Sequence, residues 1–80
     1  MGSQTLFEGR KHKITTDGET FFLYIKSGEN KWELRDKNSL EKDMYTEALE
    51  DIKRILAMDM DEDEKILKIC ETGFFNVANL

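Results

Sequence analysis

The sequence predicts a small α+β domain in which a three-stranded antiparallel meander is followed by two α-helices. Turn sequences separate three β-rich runs within residues 13–35, whereas apolar side chains recur at three- and four-residue steps within residues 40–56. A chain of 80 residues can build only one hydrophobic core. We therefore interpret residues 1–80 as a single domain, with residues 1–4 as a leader or tag remnant.

The first two strands are predicted by an Asp-Gly pair. Asp17-Gly18 separates the β-rich run of residues 13–16 from the run of residues 20–25. This pair between two such runs is typical of a tight hairpin, because glycine adopts a positive φ without a steric clash. We expect an antiparallel hairpin at this position.

The third predicted strand follows a second turn at residues 27–30. Residues 31–35 alternate polar and apolar side chains, which is typical of a strand with one buried face. We expect Trp32 and Leu34 to face the core and the charged residues beside them to face solvent.

Two helices are predicted in the second half of the chain. The apolar residues of 40–56 form one stripe, and either Asn38 or Ser39 is placed to cap the first turn. A shorter helix begins with Asp61 as its N-cap, and Gly73 ends it in a left-handed conformation.

The centre strand, residues 21–25, is apolar on both faces. When its alternate side chains pack against the helices, Phe22 and Tyr24 remain on the opposite face. The apolar tail, residues 74–80, either folds back, adding a fourth strand or capping the core, or leaves these rings to a partner. In the second case the face binds another protein or a second copy in a homodimer.

The net charge of −5 is concentrated in the second half of the chain. Residues 36–80 hold six basic and twelve acidic residues, whereas residues 1–35 are nearly balanced. An acidic stripe on the outward side of the first helix would steer a basic partner. This stripe is a candidate protein-binding surface, and its members are Asp43, Glu47, Glu50 and Asp51.

A basic cluster opens the first predicted strand. Arg10, Lys11 and Lys13 lie close in sequence to sheet aromatics, a combination with which some sheets bind nucleic acid. The order of three strands and a helix is similar in outline to small DNA-binding domains at the start of some phage integrases. Alternatively, these charges protect an edge strand from aggregation. The acidic total disfavours binding of nucleic acid.

The spacing of three aspartates resembles the opening of an EF-hand calcium loop: Asp59-x-Asp61-x-Asp63. The resemblance then fails, because Glu64 stands where the loop needs glycine and Cys70 stands where it needs a bidentate glutamate. We predict no metal site and no cofactor. His12 and Cys70 are the only residues of their types, and no motif links them, so we predict a buried, unreactive thiol and no enzyme activity.

These features favour a small non-catalytic regulator or inhibitor that binds another protein. The alternatives are nucleic-acid binding through the basic strand and mimicry of nucleic acid by the acidic half, as in some phage-encoded inhibitors. The single cysteine favours a reducing compartment, and no apolar run is long enough for a membrane span, so we expect a soluble cytoplasmic protein without membrane partners. No motif is specific enough to name a family.

Overall fold

The computed structural model describes residues 2–72 and Phe75. Four strands form one antiparallel sheet in the order β1-β2-β3-β4, and two helices follow. The α+β class with a meander before two helices is therefore confirmed. The elements are β1 (Gln4–Glu8), β2 (His12–Thr16), β3 (Thr20–Gly28), β4 (Lys31–Ser39), α1 (Lys42–Leu56) and α2 (Glu62–Glu71).

The fourth strand is β1, ahead of the three strands that the sequence predicts. It pairs with β2, and a bulge between Thr5 and Phe7 interrupts the alternation of its side chains. The interruption explains why a period of two is not visible there. Gln4, which we expected in the leader, belongs to β1. Phe75 of the predicted tail packs in the core. The other residues of the tail, on which the prediction of a strand falls, lie outside the described residues.

The predicted hairpin at Asp17-Gly18 is confirmed. Gly18 has φ of +101°, and the Asp17 carboxylate accepts hydrogen bonds from the backbone N–H groups of Glu19 (3.0 Å) and Thr20 (2.8 Å). These two hydrogen bonds lower the pKa of the Asp17 carboxyl, and the bond from Glu19 has the larger effect. The turn therefore joins β2 to β3 through its own side-chain chemistry.

The prediction that Trp32 and Leu34 face the core is wrong. A bulge in β4 shifts its register, so that Asp36 pairs with Leu23 but Leu34 pairs with Tyr24. Paired residues in an antiparallel ladder share a face. The bulge therefore places both apolar side chains of β4 on the face of Tyr24, and Leu34 is 49% exposed.

The prediction of a side-chain cap for the first helix is also wrong. Asn38 and Ser39 belong to β4, where Asn38 pairs with Phe21 and the Ser39 hydroxyl hydrogen-bonds to that of Thr20 at 2.7 Å. Helix α1 has Glu41 at its N-cap position, without a side-chain cap. Asp61 holds the N-cap position of α2, as predicted, but its side chain makes no capping hydrogen bond. Gly73 lies outside the described residues.

The core lies between one face of the sheet and the two helices. Its largest fully buried side chains come from both layers: Phe21, Ile14, Leu23, Ile52 and Ile69. Tyr45 of α1 stacks on Phe21, with ring centroids 4.7 Å apart, and its hydroxyl hydrogen-bonds to Thr16 at 2.7 Å. Cys70 is buried here as predicted, and its burial, with the charge of Asp36, raises the pKa of the thiol to about 11.

The position of Ile52 in this core gives a test of the helix phase. Ile52 is fully buried, whereas its neighbour Lys53 is exposed. We expect Ile52→Ala to lower the free energy of unfolding by about 2–5 kcal/mol. Lys53→Ala should change it by less than about 0.5 kcal/mol. Denaturant melts that show equal losses would contradict the placement of α1.

Candidate functional site

The sheet face opposite the helices gathers the aromatic side chains that the core does not use. We call it the open sheet face and define it by Phe22, Tyr24, Trp32 and Leu34 together with Lys13, Lys26 and Lys37. The register places them there, because Tyr24 pairs with both Lys13 and Leu34, Trp32 with Lys26, and Phe22 with Lys37. Phe22 and Tyr24, predicted from sequence, do lie on this face. Trp32 and Leu34 join them only because of the bulge.

Lysine ammonium groups lie over the aromatic rings of this face. The Nζ atom of Lys13 is 5.3 Å from the ring centroid of Tyr24 and 5.0 Å from that of Trp32. The Nζ atom of Lys26 lies 5.3 Å from the Trp32 centroid. Phe22 extends the aromatic row, with its centroid 6.5 Å from that of Tyr24. At these distances the cations are attracted to the ring faces.

The charge of the open sheet face is opposite to that of the whole chain. The open sheet face carries three lysines, and the acidic residue Glu8 of β1 pairs with one of them, Lys13. The surface therefore combines apolar contact area with positive charge. It is suited to a partner that presents apolar groups flanked by carboxylates or phosphates.

The structure divides the basic cluster that the sequence predicts. Lys13 points to the open sheet face, whereas Arg10 and Lys11 lie in the turn between β1 and β2. The interpretation of this segment as a first, edge strand is wrong, because β2 lies between β1 and β3. Only one of the three predicted basic residues therefore accompanies the aromatic rings.

Of the two edges of the sheet, the one formed by β4 is poorly suited to adding a strand. Edge strand β4 carries five charged residues in sequence KWELRDKNS and contains a bulge. Charges and bulges of this kind disfavour pairing with another chain. A partner is therefore better accommodated on the face of the sheet than at this edge.

The acidic stripe lies on the helical layer, on the other side of the domain from the open sheet face. Asp43, Glu47 and Glu50 are exposed, as predicted. Asp51 is half-buried and accepts a 2.7 Å hydrogen bond from the guanidinium of Arg54. The stripe is thus solvated, and part of its charge is already paired.

Glu62 fastens the β1–β2 turn to the start of α2, a contact that the sequence analysis missed. Its carboxylate accepts hydrogen bonds from the backbone N–H groups of Arg10 (2.7 Å) and Lys11 (2.8 Å) and from Nδ1 of His12 (2.7 Å). Partial burial opposes ionisation, but these hydrogen bonds outweigh it and lower the pKa of the Glu62 carboxyl. The signal available in the sequence was Gly9 followed by two basic residues and His12. This signal does not identify Glu62 as the residue that they contact.

Metal chemistry finds no support in the described part of the chain. Within residues 2–72 and Phe75, no three His, Cys, Asp or Glu side chains are grouped so as to hold a metal ion. Asp61 and Asp63 of the EF-hand-like spacing belong to the start of α2, on either side of Glu62. Of the helices described, neither is long and apolar enough to cross a membrane.

Gly9 is required by the close approach of Glu62. A Cβ atom at Gly9 would collide with the Glu62 carboxylate and lie 2.8 Å from the ring of Phe7. Because three hydrogen bonds hold that carboxylate, we expect Gly9→Ala to destabilise the fold by about 1–3 kcal/mol. Gly28→Ala is the control, since its Cβ would meet only the Lys31 side chain at 3.6 Å. Equal denaturation midpoints for the two variants would refute the close contact.

Stability at acid pH reports on the same carboxylate. Since the folded pKa of Glu62 is lowered, its contribution is present above the unfolded value of 4.5 and is lost as the pH falls through the folded pKa. We expect wild type to exceed Glu62→Gln in unfolding free energy at neutral pH, and the difference to shrink below about pH 4.5. The exposed Glu64→Gln is the control. A difference that is independent of pH would show that Glu62 acts through packing alone.

The described residues thus offer two faces of opposite charge, one aromatic and basic, the other helical and acidic. The aromatic face combines half-buried rings with a large exposed apolar side chain, Leu34. The acidic face is a solvated stripe. No family model, no curated protein and no solved structure matches this chain.

Proposed function

We propose that this protein is a non-catalytic regulator that acts by binding another protein on the open sheet face. The observation that carries the proposal is the convergence of Phe22, Tyr24, Trp32 and Leu34 on the face that the helices leave free. Aromatic residues are enriched in the centres of protein interfaces, where they supply much of the binding energy. The partner is expected to present an apolar patch bordered by carboxylates.

The position of the lysines favours a protein over a nucleic acid. The ammonium groups of Lys13 and Lys26 lie over the ring faces of Tyr24 and Trp32. The bases of a nucleic acid would need these same faces for stacking. Carboxylates of a protein can pair with the same ammonium groups while apolar side chains meet the exposed Leu34. Complementary charges of this kind contribute mainly to the association rate and to the choice of partner.

The open sheet face is also the better of the two candidate protein-binding surfaces. The acidic stripe of α1 lacks an aromatic anchor among its four members, and Asp51 is paired with Arg54. Exposed charges contribute little binding energy by themselves, although they accelerate encounters with a basic partner. We therefore assign the acidic stripe to solubility and to steering of a basic partner. Mimicry of nucleic acid, the alternative function, would require the acidic stripe to be the docking surface.

The choice between the two surfaces can be tested with matched charge changes. Leu34→Glu puts a carboxylate at the centre of the open sheet face, and because Leu34 is 49% exposed the fold should tolerate it. Affinity capture from the source organism's lysate, quantified by mass spectrometry, identifies proteins retained by wild type. We expect Leu34→Glu to lower the affinity for a partner that wild type retains by at least about tenfold, as loss of an interface anchor does. Titration of the purified partner measures this change.

The control variant carries Glu47→Lys and Glu50→Lys on the exposed side of α1. Circular dichroism establishes that both proteins are folded. The proposal expects the control to keep the partner's affinity within a few-fold, with a change mainly in the association rate. Retention of the partner by Leu34→Glu and its loss in the control would instead identify the acidic stripe as the docking surface.

Single-stranded nucleic acid is the second candidate ligand for the open sheet face. Lysines and a row of three aromatic rings are the residue types with which stacking platforms bind single strands, and this mode requires the lysines to leave the ring faces. The acidic stripe lies across the domain, so its repulsion is screened at physiological ionic strength, where the Debye length is about 8 Å.

Salt dependence distinguishes this candidate from protein binding. If Lys13, Lys26 and Lys37 each contact a phosphate, the affinity for a labelled thymidine oligomer should fall between about 50 and 200 mM salt, with a logarithmic slope near −2. Lys13→Ala should reduce that slope by about 0.7, and the exposed Lys53→Ala on α1 should leave it unchanged. Fluorescence anisotropy measures both. Absence of binding at the lower salt concentration would exclude single-stranded DNA as the ligand.

A further inference from the structure

A groove lies between the sheet and α2 and shares only Lys26 with the open sheet face. Its volume is about 540 Å³, within the range of small-molecule sites. The apolar lining consists of Ile25 from β3 and Ile66 and Leu67 from α2, and Leu67 is 50% exposed. Lys11, Lys26, Asp63 and His12 complete the lining. The groove thus combines an apolar contact area with four polar or charged side chains.

His12 lines this groove, and a hydrogen bond to Glu62 orients its ring. Nδ1 of the ring is 2.7 Å from the Glu62 carboxylate, and an ionised carboxylate only accepts hydrogen bonds. The proton of a neutral ring therefore lies on Nδ1, and Nε2 is left as an acceptor. Among the described residues Nε2 has no hydrogen-bond partner, and because no buried side-chain nitrogen or oxygen there lacks one, Nε2 is not fully buried.

The charges around the groove favour a neutral ligand. Glu62 and Asp63 lie 2.7 and 4.0 Å from Nδ1 of His12 and offset its charge whenever the ring is protonated, whereas Lys11 is exposed, so that its ammonium is solvated. Lys26 lines the groove, but its ammonium lies over Trp32 on the open sheet face. An anion or a cation therefore gains little from this lining.

We propose that the groove is a binding site for a neutral molecule with an apolar body and a hydroxyl group, of the phenol class. The apolar body contacts Ile25, Ile66 and Leu67, and the hydroxyl donates a hydrogen bond to Nε2 of His12. Lys26 borders both the groove and the open sheet face, but the apolar lining of the groove, Ile25, Ile66 and Leu67, is not part of the open sheet face.

The test compares 2-naphthol with its methyl ether, which has the same body but no hydroxyl proton. Both are titrated into the whole protein at neutral pH, and amide chemical shifts are followed by NMR. We expect 2-naphthol to shift the amides of Lys11, Ile25 and residues 63–67, and the ether to bind about three- to tenfold more weakly, as loss of one hydrogen bond predicts. Equal affinities, or no shifts in these residues, would overturn the proposal.

Variants locate the binding independently of His12, whose replacement also weakens the contact with Glu62. Leu67→Glu places a charge in the apolar lining, whereas Met44→Glu changes a comparably exposed apolar residue on α1. The proposal expects loss of 2-naphthol binding in Leu67→Glu and unchanged affinity in Met44→Glu. Shifts that persist in Leu67→Glu, or that concentrate on Tyr24 and Trp32, would place the probe elsewhere and refute the assignment.

Discussion

The bulge in β4 is the constraint on which the surface of this protein depends. Without it, continuous pairing from Leu23 and Asp36 would place Leu34 beside Ile25, on the face that the helices cover. The extra residue changes the face of all that precedes it in the strand. Trp32 and Leu34 thereby leave the core and join Phe22 and Tyr24, and a two-ring face becomes an aromatic surface.

Those features that rest on local patterns could be predicted from the sequence. The Asp-Gly turn, the apolar stripe of α1 and the start of α2 at Asp61 each depend on neighbouring residues, and all three are present. The outward Phe22 and Tyr24 follow from alternation along β3. Alternation did not predict β1 or the orientation of β4, because one additional residue in each strand reverses the alternation of side chains. A search for a period of two in the sequence does not detect such a bulge.

Contacts between distant segments were beyond local patterns for a different reason. Glu62 meets the β1–β2 turn from about fifty positions away, and nothing near Glu62 in sequence distinguishes it from the acids on either side. In the sequence it was one member of an acidic helix start. The Glu62 carboxylate also explains Gly9. Glycine is needed there because this carboxylate approaches the backbone closely, and not because of an unusual φ.

The lysines keep positive charge on an exposed aromatic surface. An uncovered row of rings is a site of aggregation, but the ammonium groups of Lys13 and Lys26 lie over Tyr24 and Trp32 and keep charge at the surface. Two copies that met face to face would bring these lysines together, which disfavours a homodimer through the open sheet face. A partner with carboxylates meets the opposite situation, because each lysine that leaves its ring gains an ion pair and uncovers apolar area for contact. The same residues therefore oppose self-association and favour a complementary partner.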